Sequence, residues 1–248
     1  MMEFYAAIDL RGGQAVRLFQ GDYGRETGYG DPIHLAEEFI GGGTDWLHLV
    51  DLDGARGSSS ANRSIIKEIA AMSPVPVEVG GGIRTMSDVD ELVSSGVHRV
   101  ILGTVAVEER SLAQELTEAF PGHVAVGLDY RSRNDKVVIA VRGWLEGAEM
   151  TLAEGLEQTV HEGTAAVILT SIDRDGTLEG PDLDGLQEAL RATSVPVVAS
   201  AGVGSIEDLL ALRGAGDAGS GRSLAGVVVG KALVEGRFTV GEGVRACR

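Results

Sequence analysis

Pro76-Val77-Glu78-Val79-Gly80-Gly81-Gly82-Ile83 returns about 120 residues later as Pro196-Val197-Val198-Ala199-Ser200-Ala201-Gly202-Val203. Each copy is a short strand-like run that breaks on small residues and passes into a helical pattern. The segments that follow keep step, with Asp88 matching Asp208, and both end alike: Val100-Ile101-Leu102-Gly103 against Val227-Val228-Val229-Gly230. Upstream, Ala7-Ile8-Asp9-Leu10 matches Gly127-Leu128-Asp129-Tyr130, and Asp51-Leu52-Asp53-Gly54 matches Asp173-Arg174-Asp175-Gly176. Order and spacing are both kept, which is the signature of an internal duplication.

Working outward from that repeat, strands are expected at Phe4–Asp9, Trp46–Asp51, Val75–Val79, Arg99–Leu102, Val124–Asp129, Ala166–Thr170, Val197–Ser200 and Gly226–Val229. Most are nearly continuous apolar runs, as strands covered on both faces require. Helical patterns lie between them at Ile33–Ile40, Ser64–Met72, Met86–Ser95, Ser111–Ala119, Thr151–Glu162, Leu183–Ala192 and Ile206–Ala215. Ser87-Asp88 and Ser205 read as helix starts, and Ser205-Ile206-Glu207-Asp208 has capping-box spacing. Eight β/α alternations in 248 residues predict one domain over residues 1–248. The expected fold is a (βα)₈ TIM barrel made of two similar (βα)₄ halves, approximately 1–122 and 123–248. No Gly-x-Gly-x-x-Gly with a downstream acidic partner follows the first strand, which argues against a dinucleotide fold.

The composition narrows the partners. The formal net charge is −16, and Lys67, Lys136 and Lys231 are the only lysines. Nucleic acid and anionic membrane surfaces are therefore poor partners. The apolar runs are too short to cross a bilayer, and Met1–Gly12 does not read as a secretory signal. The single cysteine, Cys247, permits no disulfide framework, which points to a reducing cytoplasm. The expected partner is a small molecule, and the chain is expected to act as a monomer.

In such a barrel the working residues follow the C-terminal ends of the strands. Asp9, Asp51, Asp129 and Asp173–Asp175 fall there. Asp9 and Asp129, equivalent in the two halves, are expected to face each other across the mouth, an arrangement suited to general acid–base work. Asp51 and Asp173 read equally well as turn or cap residues, and Asp175-Gly176-Thr177 taken alone is a good turn. Gly80-Gly81-Gly82 and Ser200-Ala201-Gly202 allow backbone amides to close on an anion, and Gly103-Thr104 and Gly230-Lys231 would complete each cradle. The duplication thus predicts two phosphate sites. Two long loops, Arg17–Pro32 and Tyr130–Met150, read as lids; the second carries Arg142-Gly143-Trp144, whose Trp144 could stack on a flat heterocycle. Trp46 reads as core, and His48 as either core or site. No zinc-ligand spacing, nucleophile elbow or P-loop is present.

Taken together, Ala7-Ile8-Asp9-Leu10-Arg11-Gly12-Gly13, His48-Leu49-Val50-Asp51-Leu52-Asp53-Gly54, Gly80-Gly81-Gly82-Ile83-Arg84, Gly143-Trp144, Asp175-Gly176-Thr177 and Val229-Gly230-Lys231-Ala232-Leu233 resemble the ProFAR isomerase family of histidine biosynthesis. That family acts on phosphoribosylformimino-5-aminoimidazole carboxamide ribotide. The resemblance runs from about Tyr5 to Gly241. It implies a duplicated barrel and an Amadori rearrangement of an aminoaldose to an aminoketose. The implied substrate carries a phosphate at each end, and no metal or redox cofactor is required. It also implies Asp9 as base, either Asp129 or Asp175 as acid, and Thr170 and Arg84 within the site. Arg17 and Arg142-Gly143-Trp144 further resemble loop residues of the bifunctional actinobacterial phosphoribosyl isomerase A branch, which also isomerises phosphoribosylanthranilate in tryptophan synthesis. Trp144-Leu145-Glu146 continues more like the single-function enzyme, so the second activity stands as an alternative. The sister imidazole glycerol phosphate synthase usually carries Cys-Leu-Asp in its first strand with a lysine just beyond. Ala7-Ile8-Asp9-Leu10-Arg11 does not fit that pattern, and a ligand-binding barrel without catalysis would not need the acid–base candidates.

Overall fold

A computed structural model describes residues 1–19, 22–57, 62–133, 136–141, 146–217, 219 and 221–248. Eight parallel strands close into a barrel with helices between them: β1 (Glu3–Arg11), β2 (Trp46–Asp51), β3 (Val77–Gly80), β4 (Arg99–Leu102), β5 (Val124–Arg133), β6 (Val167–Ser171), β7 (Val197–Ser200) and β8 (Gly226–Val229). Sequential strands pair, and β8 returns to β1.

The duplication is written in the register. Following paired residues from Asp9 leads through Val50, Gly80 and Ile101 to Ala125, four residues before Asp129 on β5. Following them from Asp129 leads through Thr170, Ser200 and Val228 to Tyr5, four residues before Asp9 on β1. Each half therefore contributes the same stagger, and together they give a shear of about 8, the value that closes an eight-stranded barrel.

Alternation along each strand divides the apolar residues. Phe4, Ala6, Ile8 and Leu10 join the large core between barrel and helices. Tyr5, Ala7, Trp46, Ile101, Ala125, Ile168, Val198 and Val228 form a second cluster inside the barrel. Trp46 is core, as its sequence context suggests, stacked on Tyr5 with ring centroids 5.2 Å apart. Two helices show the repeat again. Thr85 and Ser205 both cap a helix through a capping box, with Asp88 and Asp208 as the reciprocal partners. The first of these starts lies at Thr85 rather than Ser87-Asp88: Asp88 is the third residue inside the helix, and its carboxylate reaches back to the Thr85 amide.

The two expected lids are largely hairpins. β1 runs on past Asp9 and turns at Gly12-Gly13 into the strand Gln14–Phe19, which pairs with Asp22–Gly30. Gly12 and Gly13 have φ of 55° and 80°, the left-handed pair that a two-residue hairpin turn demands. β5 likewise continues to Arg133 and pairs with Lys136–Val141, which pairs with Glu146–Thr151. Arg142, Gly143 and Trp144 lie outside the described residues. No helix among the described residues is long and apolar enough to cross a membrane.

Candidate functional site

At the C-terminal mouth of the barrel lies a cavity of about 400 Å³, within the usual range of small-molecule sites. Asp9, Asp129, Asp175, Arg17, His48, Arg84, Thr170 and both small-residue runs, Gly80-Gly81-Gly82 and Ser200-Ala201-Gly202, line it, whereas Asp51 and Asp173 do not.

Asp9 and Asp129 sit on β1 and β5, opposite strands of the closed sheet. The carboxylate drawn against Asp9, however, is that of Asp175. Arg17 reaches into the site from the first hairpin, donating to Asp9 Oδ2 from Nη1 at 2.9 Å and to Asp175 Oδ1 from Nη2. All three side chains are less than one-fifth exposed. Burial pushes the Asp175 carboxyl above the usual carboxylate range. Arg17 opposes that push, and Asp9 adds to it. The sequence allowed Asp129 or Asp175 as the partner of Asp9; the hairpin that carries Arg17 favours Asp175.

The other aspartates serve the scaffold. Asp51 is buried, accepts from the Gly54 amide and from Asn62 Nδ2, and caps the short turn Leu52–Ala55. Asp53 accepts from the Gly12 amide at 2.7 Å and from Asn62 at 3.0 Å, so it braces the first hairpin turn. Asp173 accepts from the Ser132 amide at 3.0 Å, tying the loop after β6 to β5.

The cradles are near copies. Gly81 and Gly82 have φ of 100° and 74°; their counterparts Ala201 and Gly202 have 84° and 88°. A Cβ on Gly82 would meet the Gly54 carbonyl at 2.6 Å, and one on Gly202 would meet the Gly180 carbonyl at 2.4 Å. In both halves the loop after the third strand thus lies flat on the loop before it, and only a residue without a side chain permits that approach. The helical segments after β4 and β8 begin at Gly103 and Gly230, and neither has a side-chain cap. Their first residues, Thr104 and Lys231, line the same cavity. Open first-turn amides next to left-handed loops are good anion partners. Besides Arg17, two more cations line the cavity, one from each half. Arg84 is braced on the Gly54 and Ala55 carbonyls at 3.2 and 3.1 Å, and Lys231 Nζ donates to the Gly176 carbonyl at 2.6 Å. Thr170 stands beside Asp129 in the register.

His48 is both core and site. It is 8% exposed, lines the cavity, and places Nδ1 2.6 Å from Glu78 Oε1. Glu78 and its partner Arg99 were missed from the sequence, although a glutamate between two buried valines of a short strand is itself a signal.

Comparison with known proteins places this arrangement. Residues 3–239 match the family model described as histidine biosynthesis protein. Similar proteins include the 1-(5-phosphoribosyl)-5-((5-phosphoribosylamino)methylideneamino)imidazole-4-carboxamide isomerases of three bacteria. That of Synechococcus sp. is 47% identical over 99% of this chain and 93% of its own length. That of Brevibacillus brevis is 43% identical over 97% and 94%, and that of Dinoroseobacter shibae 43% identical over 97% of each.

Proposed function

The chain belongs to the histidine biosynthesis protein family, and we propose that it catalyses the isomerisation for which these relatives are named. Its substrate is then ProFAR, an aminoaldose with a phosphoribosyl group at each end, and its product the corresponding aminoketose. The observation that carries the reading is the pair Asp9 and Asp175, joined through Arg17, in a cavity lined by a glycine cradle from each half.

The chemistry needs an acid and a base on one sugar. Asp175 is the acid. It gives its proton to the ribose ring oxygen, the bond from that oxygen to the anomeric carbon breaks, and the nitrogen lone pair closes a C=N bond. Burial, opposed by Arg17 and helped by the neighbouring Asp9 carboxylate, raises the pKa of this carboxyl, which is the direction that favours its acid form. Asp9 is the base. It removes the C2 proton, and the electrons of that bond form the C1=C2 enolamine. A proton then returns to C1 as the 2-hydroxyl loses its own, leaving the ketone. Oxidation at C2 and reduction at C1 balance inside one molecule.

The cradles hold the two phosphates, with Arg84 and the Gly103-Thr104 amides at one end and Lys231 with the Gly230 turn at the other. On a chain of charge −16, backbone amides suit this task better than a cluster of lysines. The alternative second activity, on phosphoribosylanthranilate, rests on Arg17 together with Arg142-Gly143-Trp144; the triplet lies outside the described residues, and the proposal is confined to ProFAR. Purified protein is expected to convert ProFAR to the ketose, and Asp9→Asn to lower kcat by about 10²–10⁴-fold. An Asp9→Asn enzyme retaining more than about one-tenth of the parent rate would overturn the assignment.

A further inference from the structure

His48, Glu78 and Arg99 form one row on the inner face of the barrel. The register pairs His48 with Glu78 and Glu78 with Arg99 across β2, β3 and β4. Glu78 is fully buried. One of its oxygens takes His48 Nδ1 at 2.6 Å, and the other takes Arg99 Nε at 2.8 Å and Nη2 at 2.5 Å. Arg99 is fixed in turn. Its guanidinium lies 4.3 Å from the Trp46 ring centroid, and Nη2 donates to the Tyr5 hydroxyl at 3.1 Å.

The second half has no such row. At the equivalent register positions Ile168 pairs with Val198 and Val198 with Gly226. The same barrel wall is therefore built there without a charge, so closing the barrel does not require one. Nor does stability explain the row, because apolar residues of similar volume in place of a buried ion pair are often neutral or stabilising. What distinguishes the row is where it ends. His48 lines the cavity, and its Nε2 has no hydrogen-bond partner among the described residues.

A carboxylate only accepts hydrogen bonds, so the Glu78 contact places a proton on Nδ1, and the tautomer it selects carries its lone pair on Nε2. We propose that Glu78, anchored by Arg99, is a positioning residue for the isomerisation: it fixes the ring plane and tautomer of His48 so that Nε2 accepts a hydrogen bond from a hydroxyl of the ribose being opened. Burying a glutamate and an arginine beneath the site is then the means of presenting a single acceptor rigidly to a sugar. The inference rests on the isomerase reading above, and its test keeps the two apart.

The double variant Glu78→Leu/Arg99→Met removes the ion pair without leaving one charge orphaned. It is expected to keep or raise its thermal midpoint while kcat on ProFAR falls at least about tenfold, the scale of loss when an orienting partner of a histidine is removed. Glu78→Gln/Arg99→Met, whose amide oxygen again accepts from Nδ1, is expected to recover part of that loss. A folded Glu78→Leu/Arg99→Met enzyme within about threefold of the parent kcat would overturn the proposal. Should that variant not fold, ¹⁵N NMR of the histidine-labelled parent decides, with His48 assigned by its absence from a His48→Gln spectrum. The Nδ1–H tautomer is expected, and an Nε2–H tautomer would overturn the proposal. A parent protein that does not turn over ProFAR would count against the isomerase reading, while the NMR measurement would still test the orientation of His48.

Discussion

The two halves of this barrel share their scaffold and differ on their floor. Both apply the same four-residue stagger, both lay a left-handed loop on the loop before it, and both start a helix with the same capping box. Their floors diverge at three places. Asp53, the counterpart of Asp175, is turned away to brace the Gly12 amide, whereas Asp175 is drawn to Arg17 inside the cavity. His48, Glu78 and Arg99 of the first half stand where Ile168, Val198 and Gly226 stand in the second. The cations occupy non-equivalent positions, Arg84 after β3 and Lys231 after β8. The lesson is a division of labour. A two-ended substrate is served by a duplicated scaffold, while a reaction at one of its two riboses needs a floor on which the halves are not interchangeable.

The sharpest way to break that comparison is to treat the paired aspartates alike. Asp175→Asn is expected to lower kcat by about 10²–10⁴-fold with little change in folding, because it removes the acid and leaves a similar shape. Asp53→Asn is expected to spare kcat and to cost about 1 kcal/mol in denaturant unfolding, the scale of one weakened hydrogen bond. Steady-state kinetics and unfolding curves on both variants decide the matter. Equal losses of kcat would show that the asymmetry of the floor is not the basis of catalysis.

Next in size is the cradle. Gly81→Ala would put a Cβ 2.2 Å from the Asp51 carbonyl oxygen at a φ of 100°. Backbone sits on both sides of that contact, so neither can yield cheaply, and a loss of about 2–4 kcal/mol is expected on unfolding. A loss under about 0.5 kcal/mol, the scale of an ordinary surface substitution, would show that the loop is not held flat.

Much of this arrangement was legible in the sequence, because buried parallel strands and duplicated glycine runs leave local marks. The Gly80-Gly81-Gly82 and Ser200-Ala201-Gly202 pair carried both the barrel and its two-sided cavity. Arg11-Gly12-Gly13-Gln14 is a good two-residue turn, but the glycines scattered over Arg17–Pro32 read as an irregular loop and mask the hairpin that follows it. The nearness of Asp175 to Asp9 could not be read, since it depends on where that hairpin delivers Arg17. The polar row was hidden for a similar reason. Alternation says which face a strand residue occupies, but His48, Glu78 and Arg99 become neighbours only through lateral register across three strands.

Arg17 supplies a test by pH. Burial raises the Asp175 pKa, and Arg17 pulls it back down. On the proposed assignment of Asp175 as the acid its protonated form is the working form, so kcat/KM of the parent is expected to fall as pH rises through that pKa in the free enzyme. Removing the opposing cation lets burial and Asp9 act unchecked, so in Arg17→Met the alkaline limb should move to higher pH, whatever happens to its height. A limb that stays in place, or moves down, would separate Asp175 from Arg17 and return the acid role to Asp129.

The smallest effect is expected where the cradles differ by a single methyl group. Ala201 holds a φ of 84° at the position where the first half has Gly81 at 100°. A left-handed residue with a Cβ costs about 1–2 kcal/mol, while glycine loses about 0.4–1 kcal/mol through the greater freedom of the unfolded chain. Ala201→Gly should therefore stabilise by about 0.5–1 kcal/mol, the reverse of Gly81→Ala, and raise the thermal midpoint by about 1–3 °C in a chain of this size. If the strained alanine is retained because it narrows the loop to its anion-binding shape, the same change should raise KM modestly and leave kcat alone, since a looser loop must be ordered again at each binding event. A more stable variant with an unchanged KM would mean that the second cradle is shaped by its packing on Gly180 and Leu178 rather than by its own backbone. A less stable variant would mean that the Ala201 methyl makes contacts worth more than the strain it imposes.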